Sequence, residues 1–199
     1  MKLSRISLRA IFLILLTFSG CGYNTLQSQD EAVKAAWSEV LNQYKRRADL
    51  VPNLVQTVSG YASHEKDVLT QVTEARSRVG SITVSPESLE DPAAVQQFAD
   101  AERTLGSAIG RLLAVAENYP QLKADAVFRD LQTQIEGTEN RITVARNRYI
   151  QSVQAFNTTV RSFPSNLTAK LFSYQPKANF AVEDEAAIAQ PPKVDFSKQ

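Results

Sequence analysis

Two side chains able to carry metal, acid–base or nucleophilic chemistry occur once each, Cys21 and His64. A di-metal carboxylate centre in a helical bundle needs Glu from two helices and Glu-x-x-His from two more. The single pair His64-Glu65 cannot supply both halves, and a zinc site meets the same shortage. His64 is therefore expected as a surface or capping residue, a pH-sensing contact being the sharper alternative. The sequence holds no Gly-rich phosphate loop, no G-x-S-x-G elbow and no Cys–His pairing. The adjacent acids Asp184-Glu185 fall in a polar tail where no packing tunes a pKa. The expectation is a chain with no catalytic, cofactor-binding or metal-binding residues. The chemistry left to explain is that of Cys21.

Residues 1–9 are basic, with Lys2, Arg5 and Arg9 and no acid, and residues 10–18 (AIFLILLTF) form an uncharged apolar run. A membrane-spanning helix needs about 20 apolar residues, whereas ~7–15 suit the core of a signal peptide. The run meets Phe18-Ser19-Gly20-Cys21. Small residues let the chain extend through a peptidase groove, and the thiol of Cys21 can accept a diacylglycerol. The segment looks like the lipobox of bacterial lipoproteins, with Phe18 where Leu is usual. Two readings compete with lipidation: an uncleaved anchor from Arg9 to about Leu26, and ordinary cleavage. One acyl chain holds a protein marginally and two or three hold it firmly, so the modification separates tethered from released protein.

These features have to be mounted on something. The chain has 199 residues, 43% of them hydrophobic, with 7 Gly and 8 Pro, which favours a single helical domain over a sandwich or a disordered chain. The net charge is +1; without the three amino-terminal cations, 19 basic residues face 21 acidic ones. A nucleic-acid partner, which requires a dense basic face, is not expected.

Apolar residues at three- and four-residue steps mark amphipathic helices. A first stripe comprises Val33, Trp37, Val40, Leu41 and Tyr44, with Lys45-Arg46-Arg47 suited to a helix carboxyl end. Pro52 predicts a turn near residues 47–52 and a second helix from there to about Val79. Residues 80–92 read as a loop. A third helix, about 93–118, carries Val95, Phe98, Leu105, Ile109 and Leu112, with Gly106 and Gly110 placed to permit close helix approach. The fourth, about 125–162, carries Phe128, Leu131, Ile135, Ile142, Tyr149, Val153 and Phe156 and reads as the helix that touches every other one. A short apolar piece, Leu167 to Phe172, folds back. The predicted architecture is all-α, an antiparallel up-and-down four-helix bundle with a short C-terminal helix and a disordered tail. The boundaries are a signal peptide at 1–20, a lipid-anchored linker at 21–28, the bundle at 29–175 and the tail at 176–199. Of the polar residues beside the stripes, Glu117, Glu139-Asn140-Arg141, Arg146, Asn147, Asn157 and Arg161 belong to a solvated face, cross-link helices and fix their register, or line a ligand site.

A set of segments in unbroken order resembles the LemA family: Tyr23-Asn24-x-Leu26, Ala36-Trp37-Ser38, Lys45-Arg46-Arg47-x-Asp49-Leu50-Val51-Pro52-Asn53-Leu54-Val55, Gly60-Tyr61-Ala62-x-His64-Glu65-Lys66 and Ala75-Arg76-Ser77. Glu117-x-Tyr119-Pro120, Glu136-Gly137-Thr138-Glu139-Asn140-Arg141-Ile142, Ala145-Arg146-x-x-Tyr149 and Phe163-Pro164 continue it. The resemblance implies a small up-and-down helical bundle held to a membrane by its amino terminus, with no established enzymatic activity. Members often begin with a transmembrane helix, from which the lipobox-like Cys21 departs. In the family's usual Tyr-Asn-x-Leu-Val, Gln27 replaces Val.

The function expected is that of a non-catalytic envelope scaffold or adaptor. It would be lipidated at Cys21 (palmitate among the acyl chains), would face the periplasm or exterior of a bacterial cell, and would bind an envelope or membrane protein through a helix face. The alternative is a carrier of a small hydrophobic or lipid-like ligand between the helices, which requires an apolar cavity of several hundred Å³.

Overall fold

A computed structural model describes residues 2–180, with side chains from Gly22 onward except that of Glu87. Cys21 lies outside the described side chains, and residues 181–199 lie outside the described chain altogether. The described residues form six α-helices and no strand: α1 (Lys2–Tyr61), α2 (Lys66–Ser81), α3 (Pro92–Ala116), α4 (Pro120–Ala124), α5 (Ala126–Arg161) and α6 (Ser165–Leu171).

The expected turn at residues 47–52 does not exist. Helix α1 runs unbroken through Pro52 to Tyr61, so the expected first and second helices share one axis, and the break falls at residues 62–65. Proline has no N–H for the carbonyl four residues earlier, which is the usual reason a helix fails there. Here that carbonyl, of Ala48, accepts a 2.9 Å hydrogen bond from Arg76 Nε of α2. The neighbouring helix supplies the donor that the proline withholds. Helix α1 also extends through residues 21–28, expected as a linker, and Leu26 there is fully buried.

The long pair α1 and α5 is antiparallel. Tyr61 bonds to Asp125 at one end, Arg47 meets Glu139 in the middle, and Trp37 meets Tyr149 farther down. Asp125 starts α5 by accepting from the amides of Val127 (2.8 Å) and Phe128 (3.0 Å), satisfying donors that a helix start leaves unpaired.

The core divides into two clusters along α1. One gathers Val51, Leu54 and Val58 of α1 with Val72 of α2, Leu105 and Leu112 of α3, and Phe128 and Leu131 of α5. The other gathers Leu26, Val33, Trp37 and Tyr44 of α1 with Phe98 of α3, Ile142, Tyr149 and Phe156 of α5, and Phe180. Helix α1 packs against α2, α3, α4, α5 and α6, whereas the closest backbone approaches of α5 are to α1, α4 and α6.

The expected disorder from residue 176 gives way at residues 176–180. The amide of Ala178 donates to the Leu89 carbonyl (2.7 Å) and the Tyr149 hydroxyl to the Ala178 carbonyl (2.8 Å). Asn157 holds both backbone groups of Lys177 at 2.8 Å. Phe180 is buried beside Trp37 and Tyr149 and under Arg146, whose guanidinium sits 4.6 Å from the ring centroid. An apolar anchor and hydrogen bonds to both backbone groups of Lys177 and of Ala178 offset the entropy of ordering a helix-free strap.

Candidate functional site

Where the two core clusters meet, three charged side chains converge from three helices. Arg47 of α1 has a side chain only 4% exposed. Its Nη2 donates to Glu102 Oε2 of α3 at 2.5 Å and to the Glu102 backbone carbonyl at 3.0 Å. Its Nη1 donates to Glu139 Oε1 of α5. Glu102 is fully buried, whereas Glu139 is half exposed. The fork of the guanidinium lets one cation tie two helices to a third, which a lysine point charge does less well.

Two buried atoms of this junction, Arg47 Nε and Glu102 Oε1, have no hydrogen-bond partner. Burial pushes the Glu102 carboxyl above its ordinary value, and the charge and hydrogen bonds of Arg47 offset only part of that. For Arg47 burial works against the charge, but Glu102 and Glu139 together outweigh it and the guanidinium stays protonated.

The junction floors a groove of about 450 Å³ between α3 and α5. Gly106 and Gly110 line the α3 wall, and Glu139, Ile142 and Arg146 the α5 wall. The glycines were expected to bring helices together, and the geometry is otherwise. A Cβ on Gly110 would meet nothing within 4 Å, and one on Gly106 would meet only Arg47 Nη1, at 3.4 Å. They hold the groove open. Thr143, also on its wall, spends its hydroxyl on the Glu139 carbonyl (3.0 Å).

A second charged junction lies nearer the amino terminus. Buried Asp30 pairs with Lys34 (2.7 Å) and with buried Lys177 (3.2 Å), which also meets Glu90 at 2.8 Å. Burial raises the Asp30 carboxyl pKa, but Lys34 and Lys177 more than offset it and leave it below the ordinary range. This junction ties α1 to the carboxyl-terminal strap and to the 3-10 turn at Pro86–Glu90.

The remaining expected residues are spread apart. His64 is exposed in the break between α1 and α2, and Glu65 beside it accepts from the Tyr119 hydroxyl at 3.2 Å. Glu139 crosses to another helix, Arg146 covers Phe180 and Asn157 clamps the strap, whereas Asn140, Arg141, Asn147 and Arg161 are exposed. Among the described residues, no three His, Cys, Asp or Glu side chains gather as a metal site would require. Glu102 was missed, and Arg47 was read as part of a helix end. Both carried a signal in their spacing, since each falls on the apolar repeat of its helix (Tyr44-Arg47-Val51 and Phe98-Glu102-Leu105).

The class is thus an all-helical protein whose buried ions fasten helices across an open groove. Within that class the match is to one family: the model of the LemA family covers residues 36–196, and the chain belongs to it. Similar proteins include Magnetosome protein MamQ 2 of Paramagnetospirillum magneticum, 24% identical over 77% of this chain and 62% of its own. Protein LemA of Metamycoplasma hominis is 26% identical over 74% of this chain and 63% of its own. Magnetosome protein MamQ of Magnetospirillum gryphiswaldense is 24% identical over 77% and 62%. The chain therefore spans less than two thirds of the length of each of these relatives. No helix among the described residues is long and apolar enough to cross a membrane.

Proposed function

We propose that this LemA-family chain is a non-catalytic adaptor of the bacterial envelope, tethered through a lipid on Cys21 and offering the α3–α5 groove to a membrane or envelope protein. Its four longer helices (α1, α2, α3 and α5) make an antiparallel up-and-down bundle on the outer side of the membrane. The observation that carries the reading is the use of the buried charges: Arg47, Glu102, Asp30 and Lys177 each tie one element to another. Groups spent on fastening build a rigid platform. The relatives named for the magnetosome, and the amino-terminal apolar run, support a place at a membrane.

The alternative, a carrier of a hydrophobic ligand, requires an enclosed apolar cavity. The grooves described hold about 310–630 Å³, but each is open to solvent and edged by charged side chains such as Arg146, Arg148 or Lys170. That geometry favours a polypeptide over a lipid-like molecule.

A photo-crosslinking amino acid at Ser107, on the groove wall, is expected to give a discrete adduct in cells, whereas Thr133, exposed on α5, gives none. Gly110→Trp, whose side chain enters open space in the groove, should abolish the Ser107 adduct with helicity unchanged. The same adduct from both positions, or one that survives Gly110→Trp, overturns the groove as the docking site.

A further inference from the structure

Helix α6 presents an apolar face with no partner in the bundle. Ala169 is the buried residue of this helix, and Leu167 and Leu171, two positions to either side, point the opposite way at 60% and 76% exposure. Phe163 just before the helix is 81% exposed and Phe172 just after it 53%. With Tyr23, whose ring lies 4.6 Å from that of Phe172, five of the eight large apolar side chains left exposed among the described residues share this end of the molecule.

Scattered exposed apolar residues need no explanation, but a contiguous set does. Its position supplies one. Helix α6 packs directly on α1 at Gly22: a Cβ there would lie 3.3 Å from Thr168 Oγ1 and 3.7 Å from the Ser165 backbone. Gly22 follows Cys21 and comes four residues after the apolar run ends at Phe18. Whether the anchor is a lipid on Cys21 or the apolar run itself, the bilayer surface is reached within a few residues of the helix that α6 touches.

The charges agree. From Gly22 to Gln29 there is no charged residue, and from Arg161 to Val182 there is no acid, while Arg161 and Lys170 are exposed. The first acid of α1 past the anchor, Asp30, is buried and already paired with Lys34 and Lys177. Aromatic and aliphatic side chains flanked by cations, with acids excluded, match the headgroup region of an anionic bilayer.

We infer that Phe163, Leu167, Leu171, Phe172 and Tyr23 form a membrane-docking face that seats the base of the bundle on the lipid surface, giving the tethered domain a second contact and a fixed orientation. This rests on the tether proposed above. A second copy of the chain is the competing occupant.

Full-length protein carrying Leu171→Trp, in vesicles of phosphatidylcholine and phosphatidylglycerol, tests it by quenching with phosphatidylcholine brominated at shallow acyl positions. The native Trp37 is fully buried and roughly 22 Å along α1 from Gly22, so it serves as the unquenched reference. The emission added by Leu171→Trp should be mostly lost in brominated vesicles, with wild-type emission unchanged; Leu167→Trp, on the same exposed face, repeats the measurement if the first variant loses helicity. Protein that floats with the vesicles but keeps the added emission overturns the docking face alone. Blue-shifted, unquenched emission points to a second copy over the patch and also overturns it. Protein that fails to float removes the tether reading, and this inference with it.

Discussion

Replacing Arg47 with methionine is expected to cost about 3–5 kcal/mol of folding stability, because it leaves the fully buried Glu102 without its cation. Against a total of about 5–15 kcal/mol for a domain, such a loss is close to unfolding. Its pH dependence is diagnostic. Burial already holds the Glu102 carboxyl above its ordinary 4.5, and without Arg47 nothing offsets that burial. The folded variant then keeps a proton that the unfolded chain releases, so its stability falls as pH rises from about 4.5 toward the folded value. The deficit relative to wild type should be smallest near pH 4.5 and largest near neutrality in urea melts at both. The double variant Arg47→Met/Glu102→Met should recover most of the loss, since packed apolar groups replace a buried ion pair at little cost. Glu139, half exposed, keeps water as a partner. A double variant as unstable as the single one would mean that Arg47 acts through packing and not through its charge.

Trp37→Ala should cost a similar ~3–5 kcal/mol for a different reason. The indole is fully buried, with ring centroids 5.5 Å from Phe98, 5.1 Å from Tyr149 and 5.8 Å from Phe180. Its Nε1 donates to the Val84 carbonyl at 3.3 Å. One residue thus ties α1 to α3, α5, the interhelical loop and the strap. Its removal leaves a cavity bordered by three rings, and Phe180 loses the surface that holds residues 176–180 down. Trp37→Phe should lose less, keeping most of the ring contact while giving up the hydrogen bond. Gln151→Ala, exposed on α5, is the control, expected within ~0.5 kcal/mol of wild type by circular dichroism melts. If Trp37→Ala matches that control, this core cluster does not stabilise the fold.

The helices were legible where periodicity and punctuation agreed. Helices α3 and α5 begin at Pro92 and Ala126, each within a residue of the expected starts at 93 and 125, with Asp91 and Asp125 as their N-caps. Pro52 misled because its local rule was outvoted by a contact 28 residues away, the Arg76 bond to Ala48. A signal was nonetheless present. Positions 26, 30, 33, 37, 40, 44, 47, 51, 54 and 58 alternate steps of four and three without a reset, and a turn at 47–52 would have broken that register. The same count exposes the site, because Asp30 and Arg47 sit on that stripe and Glu102 sits on the stripe of α3. A charge on an apolar repeat must be buried and paired, whereas the partner it finds is a tertiary fact that spacing does not give. The strap at 176–180 was illegible for the opposite reason. Its polar, Pro-containing composition is that of a loose tail, and its order comes from Asn157, Tyr149 and Leu89, none of them close in sequence.

How the bundle meets the membrane is tested most directly by a labelling experiment. Cells fed a fatty-acid analogue should incorporate it into the wild-type chain, and the mature amino terminus of that chain should be Cys21. Cys21→Ala should take up no label and persist as the longer, unprocessed precursor. Equal labelling of both proteins, or an unlabelled wild-type chain that retains residues 1–20, would contradict the lipid tether.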